Sequence, residues 1–227
     1  MRLQHNMIRL PIVREDDCVS VLVVEHGKLF REILTSLDCQ ANGQEGEFVL
    51  SEKGGPIDIA KQVSLLLEPI HFNLNSRQAV NRLYSFLEEK SVEQELNHKI
   101  ELKLELIRNL LGELIYDEGM ISMASTQVTL PDMFKLFGVC FSIDDVNSYV
   151  EQLQEYLLSV TKYIGKKLFV FAQLFSFLTD KEFFEFMSFV KREELNVLLI
   201  ERWLPETVKN PYGQILIVDQ DYCEIVR

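Results

Sequence analysis

Residues 166–171 read KKLFVF, residues 195–201 read LNVLLIE, and an amphipathic helix is predicted between these two apolar runs. The helix begins after Thr179, because Thr179 and Glu182 have the spacing of a capping box. Its phenylalanine-rich face favours packing against a sheet. Two short apolar runs joined by a helix are typical of neighbouring parallel strands and their crossover. This stretch therefore predicts an α/β fold with a mostly parallel sheet.

The rest of the predicted sheet comes from both ends of the chain. Residues 19–24 form a valine-rich run, typical of a strand buried on both faces, and residues 26–37 continue with apolar residues at helical spacing. Short strands are predicted at 47–50 and 63–67, and a last one at 214–218. These elements predict a single α/β head built from the first and last parts of the chain.

The middle of the chain has two apolar seams with the alternating spacing of four and three residues that is typical of coiled coils. We predict that residues 1–75 and 165–227 form the α/β head and that residues 76–164 form an all-helical leg with coiled-coil-like packing. An excess of acids favours a projecting arm over a layer that covers the sheet. The seams consist of Ile100, Leu104, Ile107, Leu111 and Leu114, and of Val146, Val150, Leu153, Leu157, Val160 and Ile164.

Composition limits the classes of function. The chain has 227 residues, 47% apolar residues, a net charge of -12 and a pI near 4.9. This charge argues against a nonspecific basic DNA coat and against a membrane-surface binder. No apolar run approaches the roughly 20 residues of a membrane span, and no secretory signal is recognisable, so we expect a cytoplasmic protein. The four cysteines have no paired spacing, which favours reduced thiols over a zinc site.

The usual catalytic motifs of α/β proteins are missing. Gly27 and Lys28 lie between a strand and a helix, as in a phosphate loop, but Leu22 and Leu29 stand where that loop needs glycine and a hydroxyl residue. The apolar run 197–201 ends in an acid, like a metal-holding strand of nucleotide hydrolases, yet without the loop it is more simply a strand end. No nucleophile elbow, zinc-protease or dinucleotide motif occurs. The sequence predicts no enzyme.

Several blocks of sequence, taken in order, resemble the CRISPR-associated spacer-acquisition proteins of type II-A systems. The resemblance is to the small ring-forming DNA-binding subunit, not to the nuclease. No single block is diagnostic, and the strength of the resemblance lies in their order and spacing. The blocks are residues 65–76, 136–139, 165–171, 177–182, 195–201 and 217–222.

The resemblance implies a specific architecture and function. It implies a head like a P-loop hydrolase core without the phosphate loop, a helical leg, and a homotetrameric ring that encloses double-stranded DNA and loads at its ends. It also implies action in antiviral CRISPR adaptation beside the integrase proteins and the RNA-guided nuclease, without nucleotide. A net-negative exterior with basic residues converging on the lumen would reconcile the acidic chain with DNA binding. We predict DNA contacts at Lys53, Arg77, Arg82, Lys135 and Lys166.

Calcium is the cofactor that the resemblance implies, but the sequence departs from the family at the ligands. The family's acidic run is replaced here by residues 122–127, which read SMASTQ. Hydroxyls and an amide are weaker calcium ligands than carboxylates, so binding would need Asp117 or Glu118 together with Asp132. Two alternatives to the DNA-binding ring stay open: a nucleotide-dependent P-loop-like ATPase, and a helical scaffold that binds other proteins.

Overall fold

The computed structural model describes residues 1–71, 73–116, 128–142 and 148–227. The chain divides into two compact units, of which the first comprises Met1–Asn73 and Ile143–Arg227 and the second comprises Leu74–Ser142. We call them the α/β unit and the helical unit. The mixed α/β fold that the sequence predicts is confirmed.

The elements follow one another in a simple order. Strands dominate the start, helices dominate the middle, and strands alternate with one helix at the end. In chain order they are β1 (Arg2–His5), β2 (Ile8–Val13), β3 (Val19–Val24), α1 (Gly27–Ala41), β4 (Phe48–Glu52), β5 (Gly55–Ile57), α2 (Ile59–Gln62), β6 (Val63–Leu66), α3 (Arg77–Glu93), α4 (Asn97–Ile115), α5 (Leu130–Leu136), α6 (Tyr149–Ser159), a π-helical turn (Val160–Ile164), β7 (Leu168–Ala172), a 3₁₀ turn (Leu174–Ser176), α7 (Asp180–Arg192), β8 (Asn196–Glu201), β9 (Ile215–Val218) and β10 (Glu224–Val226).

The main sheet of the α/β unit has six strands in the order β10-β9-β3-β8-β7-β6. Strands β6, β7, β8, β3 and β9 are parallel, whereas β10 runs antiparallel to β9. The strand, helix and strand predicted first are β7, α7 and β8, and Leu168 of β7 lies beside Asn196 of β8. Thr179 and Glu182 form the expected capping box at the start of α7. This part of the prediction is confirmed.

A second sheet of four antiparallel strands, in the order β2-β1-β4-β5, lies in the same unit. Two side chains join it to the main sheet. Gln214 donates from Nε2 to the carbonyl oxygens of Pro11 and Ile12, at 2.5 and 3.0 Å. The Glu224 carboxylate accepts the backbone N–H groups of Arg9 and Leu10, at 2.7 and 3.0 Å. Strand β2 therefore keeps its place through these polar contacts as well as through its sheet partner.

Both faces of the main sheet are buried, which explains the continuous apolar runs of its strands. On one face, Leu22, Val170 and Leu198 belong to a core that also contains Leu29 and Ile33 of α1. On the other face, the rings of Phe171 and Phe186 meet edge to face at 5.9 Å between centroids. The aromatic side of α7 is therefore a packing surface, as the sequence predicts.

Helix α6 lies in the α/β unit, whereas the sequence assigned it to a leg spanning 76–164. The Tyr156 hydroxyl is 2.9 Å from the Ser64 hydroxyl of β6, and the Tyr149 hydroxyl donates to the Pro69 carbonyl at 2.9 Å. The described residues of the second seam from Val150 to Val160 are buried. The second seam thus belongs to the core of this unit, because an apolar stripe packs on whichever apolar surface is nearest.

The described residues of the helical unit form α3, α4 and α5. Helix α3 contacts α5 through Tyr84, whose ring lies 5.4 Å from that of Phe134 and whose hydroxyl donates to the Val139 carbonyl at 3.0 Å. Among the described residues, those of α4 are never fully buried, and Ile107, Leu111 and Leu114 of the first seam are exposed. Coiled-coil packing of the two seams is therefore not confirmed, and projection of this unit as a leg stays a prediction.

Within the described ranges, no helix combines the length and the apolar composition that a membrane span needs.

Candidate functional site

The junction between β3 and α1 is the place where a phosphate loop would lie. Only Glu25 and His26 separate the strand from the helix. The Nδ1 atom of His26 accepts the Leu29 N–H at 3.3 Å and lies 3.3 Å from the Tyr222 hydroxyl. The chain itself therefore caps the first turn of α1, at the amide groups that a phosphate would use.

Arg202 covers the glycine at this junction. A Cβ atom placed on Gly27 would lie 2.7 Å from Nη1 of Arg202, so a larger residue would displace the guanidinium. The same guanidinium lies 5.6 Å from the ring centre of Phe30. Because Gly27 makes room for a side chain of the protein, its presence here does not indicate a nucleotide site.

Glu201 ends β8 at the same edge and is only 1% exposed. Its carboxyl group accepts the Phe175 N–H at 3.1 Å, and the backbone of Leu174 also donates to it. Burial raises the pKa of this carboxyl to about 8, against the opposing effect of the two N–H donors. Burial therefore favours the protonated form of Glu201 at neutral pH, and its carboxyl group holds the 3₁₀ turn after β7. Sequence reasoning identified this residue only as the end of a strand.

A cluster of lysines lies at the opposite edge, where the parallel strands β6 and β7 begin. Lys166 donates from Nζ to the Ala60 carbonyl at 2.5 Å, and Lys167 pairs with Glu52 at 2.7 Å. Ala60 is the sequence neighbour of Lys61, and Glu52 is the neighbour of Lys53, which is exposed in the turn between β4 and β5. We call Lys53, Lys61, Lys166 and Lys167 the amino-edge lysine cluster.

The five predicted DNA contacts fall into two sets, one in each unit. Lys53 and Lys166 belong to the amino-edge lysine cluster. Arg77 and Arg82 are exposed on α3, and Lys135 is exposed on α5, where its Nζ lies 3.6 Å from Asp132. The sequence groups Lys53 with Lys61 and Lys166 with Lys167 as basic patches, but Lys61 and Lys167 are not among the five predicted contacts. Their position just before β6 and β7 was the available signal, since parallel neighbours begin at one edge of a sheet.

Asp132 is the one described member of the predicted calcium ligands. Its carboxylate accepts the Thr129 hydroxyl at 2.6 Å and the Thr129 N–H at 3.1 Å, and these hydrogen bonds hold its pKa below the usual range. Asp132 is thus the N3 partner of Thr129 in the capping box of α5. Asp117 and Glu118 lie outside the described residues, so calcium at these three positions stays a prediction. Elsewhere in the described ranges, no group of three or more His, Cys, Asp or Glu side chains could hold a metal ion.

The chain is an α/β protein in which its own side chains cap the junction between β3 and α1. The family model of the CRISPR-associated protein Cas_Csn2 matches residues 40–222, and the chain belongs to this family. The resemblance to the type II-A adaptation proteins is thereby confirmed. Among solved structures, a dimeric ATP-binding cassette protein in a post-hydrolysis state with ADP and Pi matches 100% of this chain and 97% of its own, at 10% identity and a TM-score of 0.43. Nothing is inferred from a likeness of that size.

Proposed function

We propose that the protein is a non-enzymatic, sequence-independent binder of double-stranded DNA ends that acts as a homotetrameric ring in CRISPR spacer acquisition. The observation that carries the proposal is the amino-edge lysine cluster, a local concentration of positive charge on a chain of net charge -12 that belongs to a CRISPR-associated family. The integrase proteins and the RNA-guided nuclease of the same system would be its partners, in the cytoplasm.

The chemistry of the cluster suits phosphate backbones more than base edges. Lysine is a point charge on a flexible stem, and it neutralises phosphates without reading sequence. Glu52 and Asp58 offset part of the charge, since they pair with Lys167 and Lys61 at 2.7 and 3.7 Å. In a ring of four copies, the cluster would occur four times around the bound duplex, while the acidic remainder of the surface repels DNA.

Charge reversal in the cluster tests this proposal. The double variant Lys53→Glu, Lys61→Glu is expected to lose about tenfold or more in affinity for linear duplex DNA at low salt, equally for all sequences. The slope of log affinity against log salt should also fall, by about 0.9 for each phosphate that the variant no longer neutralises. Both quantities can be measured by fluorescence anisotropy across a salt series.

A matched control has the same change of charge elsewhere. Lys181→Glu, Lys209→Glu alters two exposed lysines outside the cluster and should leave the salt slope near that of the wild type. An equal loss in both double variants would show that net charge alone acts, and the cluster would then have no special role.

The ring and the preference for ends need their own measurements. A mass measurement in solution should give four subunits, and a gel shift should retard linear duplex but not closed circular duplex of the same sequence. A monomer that fails to shift linear duplex at low salt would overturn the proposal. Equal binding to linear and closed circular DNA would show that the protein binds the surface of the duplex and does not load at its ends.

We further expect no nucleotide binding, since His26 and Arg202 occupy the junction where phosphates would lie. Titration calorimetry with magnesium and ATP should give no binding heat for the wild type. If heat is observed and Lys28→Ala abolishes it, the junction is a nucleotide site after all and the non-enzymatic proposal is wrong.

A further inference from the structure

Helix α4 presents an apolar surface that no described residue buries. Leu102, Leu106 and Leu110 are spaced four residues apart, so they line one side of the helix, and they are 53%, 51% and 55% exposed. Apolar side chains exposed in a continuous row along a helix of 19 residues, about 28 Å long, mark an interaction surface more than a solvated one. We call these three leucines the α4 leucine row.

The charges beside the row are arranged with opposite signs at its two ends. Lys99 lies on the same side of the helix near the first end of the row, and Glu113 lies on that side near the other end. Within one helix the two residues are 14 positions apart, about 21 Å, so they cannot reach each other. When a second copy of the helix lies antiparallel, however, Lys99 of each chain can face Glu113 of the other.

The register of that pairing follows from the spacing alone. With a two-fold axis at Leu106, Leu102 of one chain faces Leu110 of the other, and Lys99 faces Glu113. One placement thus aligns the leucines and both ion pairs, and it also sets the helix dipoles antiparallel. A surface that complements itself under a two-fold rotation is what an interface between identical copies requires.

We propose that the α4 leucine row pairs antiparallel with the same row of a second copy of this chain. This pairing rests on the proposed function, because the second copy is another subunit of the proposed ring. It adds the place at which two subunits of the ring would meet. A contact of this length buries less area than a typical stable interface of about 1,600 Å², so it would act together with other contacts in the ring.

Charge exchange tests the pairing directly. Lys99→Glu and Glu113→Lys should each weaken association about tenfold, because each places like charges opposite one another at both ends of the row. The double variant should recover wild-type association, and so should an equimolar mixture of the two single variants. Sedimentation equilibrium on the full chain measures all four samples.

Leu106→Lys is the second variant, since it places two lysines on the two-fold axis. We expect its association to weaken at least tenfold, with a circular dichroism spectrum and melting temperature of the subunit unchanged, because Leu106 is already half exposed. If instead the mass stays unchanged and the melting temperature falls, a segment of the same chain covers the row and the proposal is wrong.

The remaining outcomes separate this inference from the proposed function. A wild-type chain that is monomeric at all concentrations overturns both the ring and the pairing. An oligomer whose association constant is unaffected by Leu106→Lys, or whose double charge variant does not recover, overturns the pairing alone. Loss of DNA binding with association intact leaves the pairing standing and counts against the DNA proposal only.

Discussion

Glu201→Gln is expected to flatten the dependence of the free energy of unfolding on pH between about pH 4.5 and 8. In the folded protein burial raises the pKa of Glu201 to about 8, while in the unfolded chain the group returns to its ordinary value of 4.5. Between these values the unfolded state releases a proton that the folded state keeps. The contribution of Glu201 to the free energy of unfolding of the wild type is therefore fully present below pH 4.5. It decreases as the pH rises from 4.5 to 8.

The size of the effect makes it measurable. A single group in this situation contributes a slope of about 1.4 kcal/mol per pH unit within the window. Glutamine keeps a carbonyl oxygen that accepts the Phe175 N–H, but its side chain cannot ionise. Residue 201 therefore contributes no pH dependence to the stability of the variant. Urea unfolding of both proteins at pH 5, 6.5 and 8 gives the difference directly, with the variant gaining relative stability at the highest pH.

An exposed glutamate on α7 provides the control. Glu185→Gln makes the same exchange of a carboxyl for an amide at an exposed position, so it controls for the substitution itself. Parallel curves for wild type and Glu201→Gln would mean that the carboxyl is not held neutral in the fold. Glu201 would then have to be reconsidered as an ionised group at the sheet edge.

The parts of the fold that the sequence predicts are those with local causes. The capping box of Thr179 and Glu182 depends on four neighbouring residues, and the helix begins where they place it. The runs of β7 and β8 are apolar on both faces because other elements cover both faces. The antiparallel strands β1 and β2 were missed, since β1 pairs with the distant strand β4 and β2 is held by Gln214 and Glu224.

The spacing of apolar residues identifies a face but not its partner. The seam on α6 has the same four-and-three repeat as the seam on α4, yet the first is buried in the α/β unit and the second has no fully buried residue. A repeat records only that the helix has an apolar side. Which surface covers that side depends on the tertiary fold, and this explains why the predicted end of the leg at residue 164 differs from the division of the chain.

The candidate site was predictable in part for the same reason. The sequence placed Lys53 with Lys61 and Lys166 with Lys167 in two separate patches, and the structure brings the two patches to one edge of the sheet. The parallel pairing of β6 with β7 creates this proximity, and the order of neighbouring strands is a property of the whole chain. The protonated state of Glu201 was not predictable, since it depends on complete burial beneath a turn 26 residues away.

Gly213→Ala is expected to destabilise the α/β unit by about 3 kcal/mol or more. A Cβ atom at residue 213 would lie 2.1 Å from the carbonyl oxygen of Val19 and 2.9 Å from Cβ of Asp17. The first neighbour is backbone, which cannot rotate away as a flexible side chain can. Glycine is needed here because two stretches of backbone approach each other closely.

The surrounding hydrogen bonds explain why the strain cannot relax cheaply. Cys18 donates its N–H to the Tyr212 carbonyl at 3.0 Å, and the Gln214 N–H donates to Asp17 at 3.3 Å. A shift that relieves the clash would weaken these bonds and loosen the start of β9 beside β3. The destabilisation should therefore appear as a lower urea midpoint in equilibrium unfolding followed by circular dichroism.

Gly55→Ala is the matched control, because it adds the same methyl group within the same unit. The nearest atom to a Cβ there is the Glu52 carbonyl oxygen at 3.8 Å, an ordinary contact distance. This variant should remain within about 0.5 kcal/mol of the wild type. If Gly213→Ala were equally stable, the backbone at Val19 and at residue 213 would have to lie farther apart than described. The parallel pairing of β9 with β3, which begins just after residue 213, would then need revision.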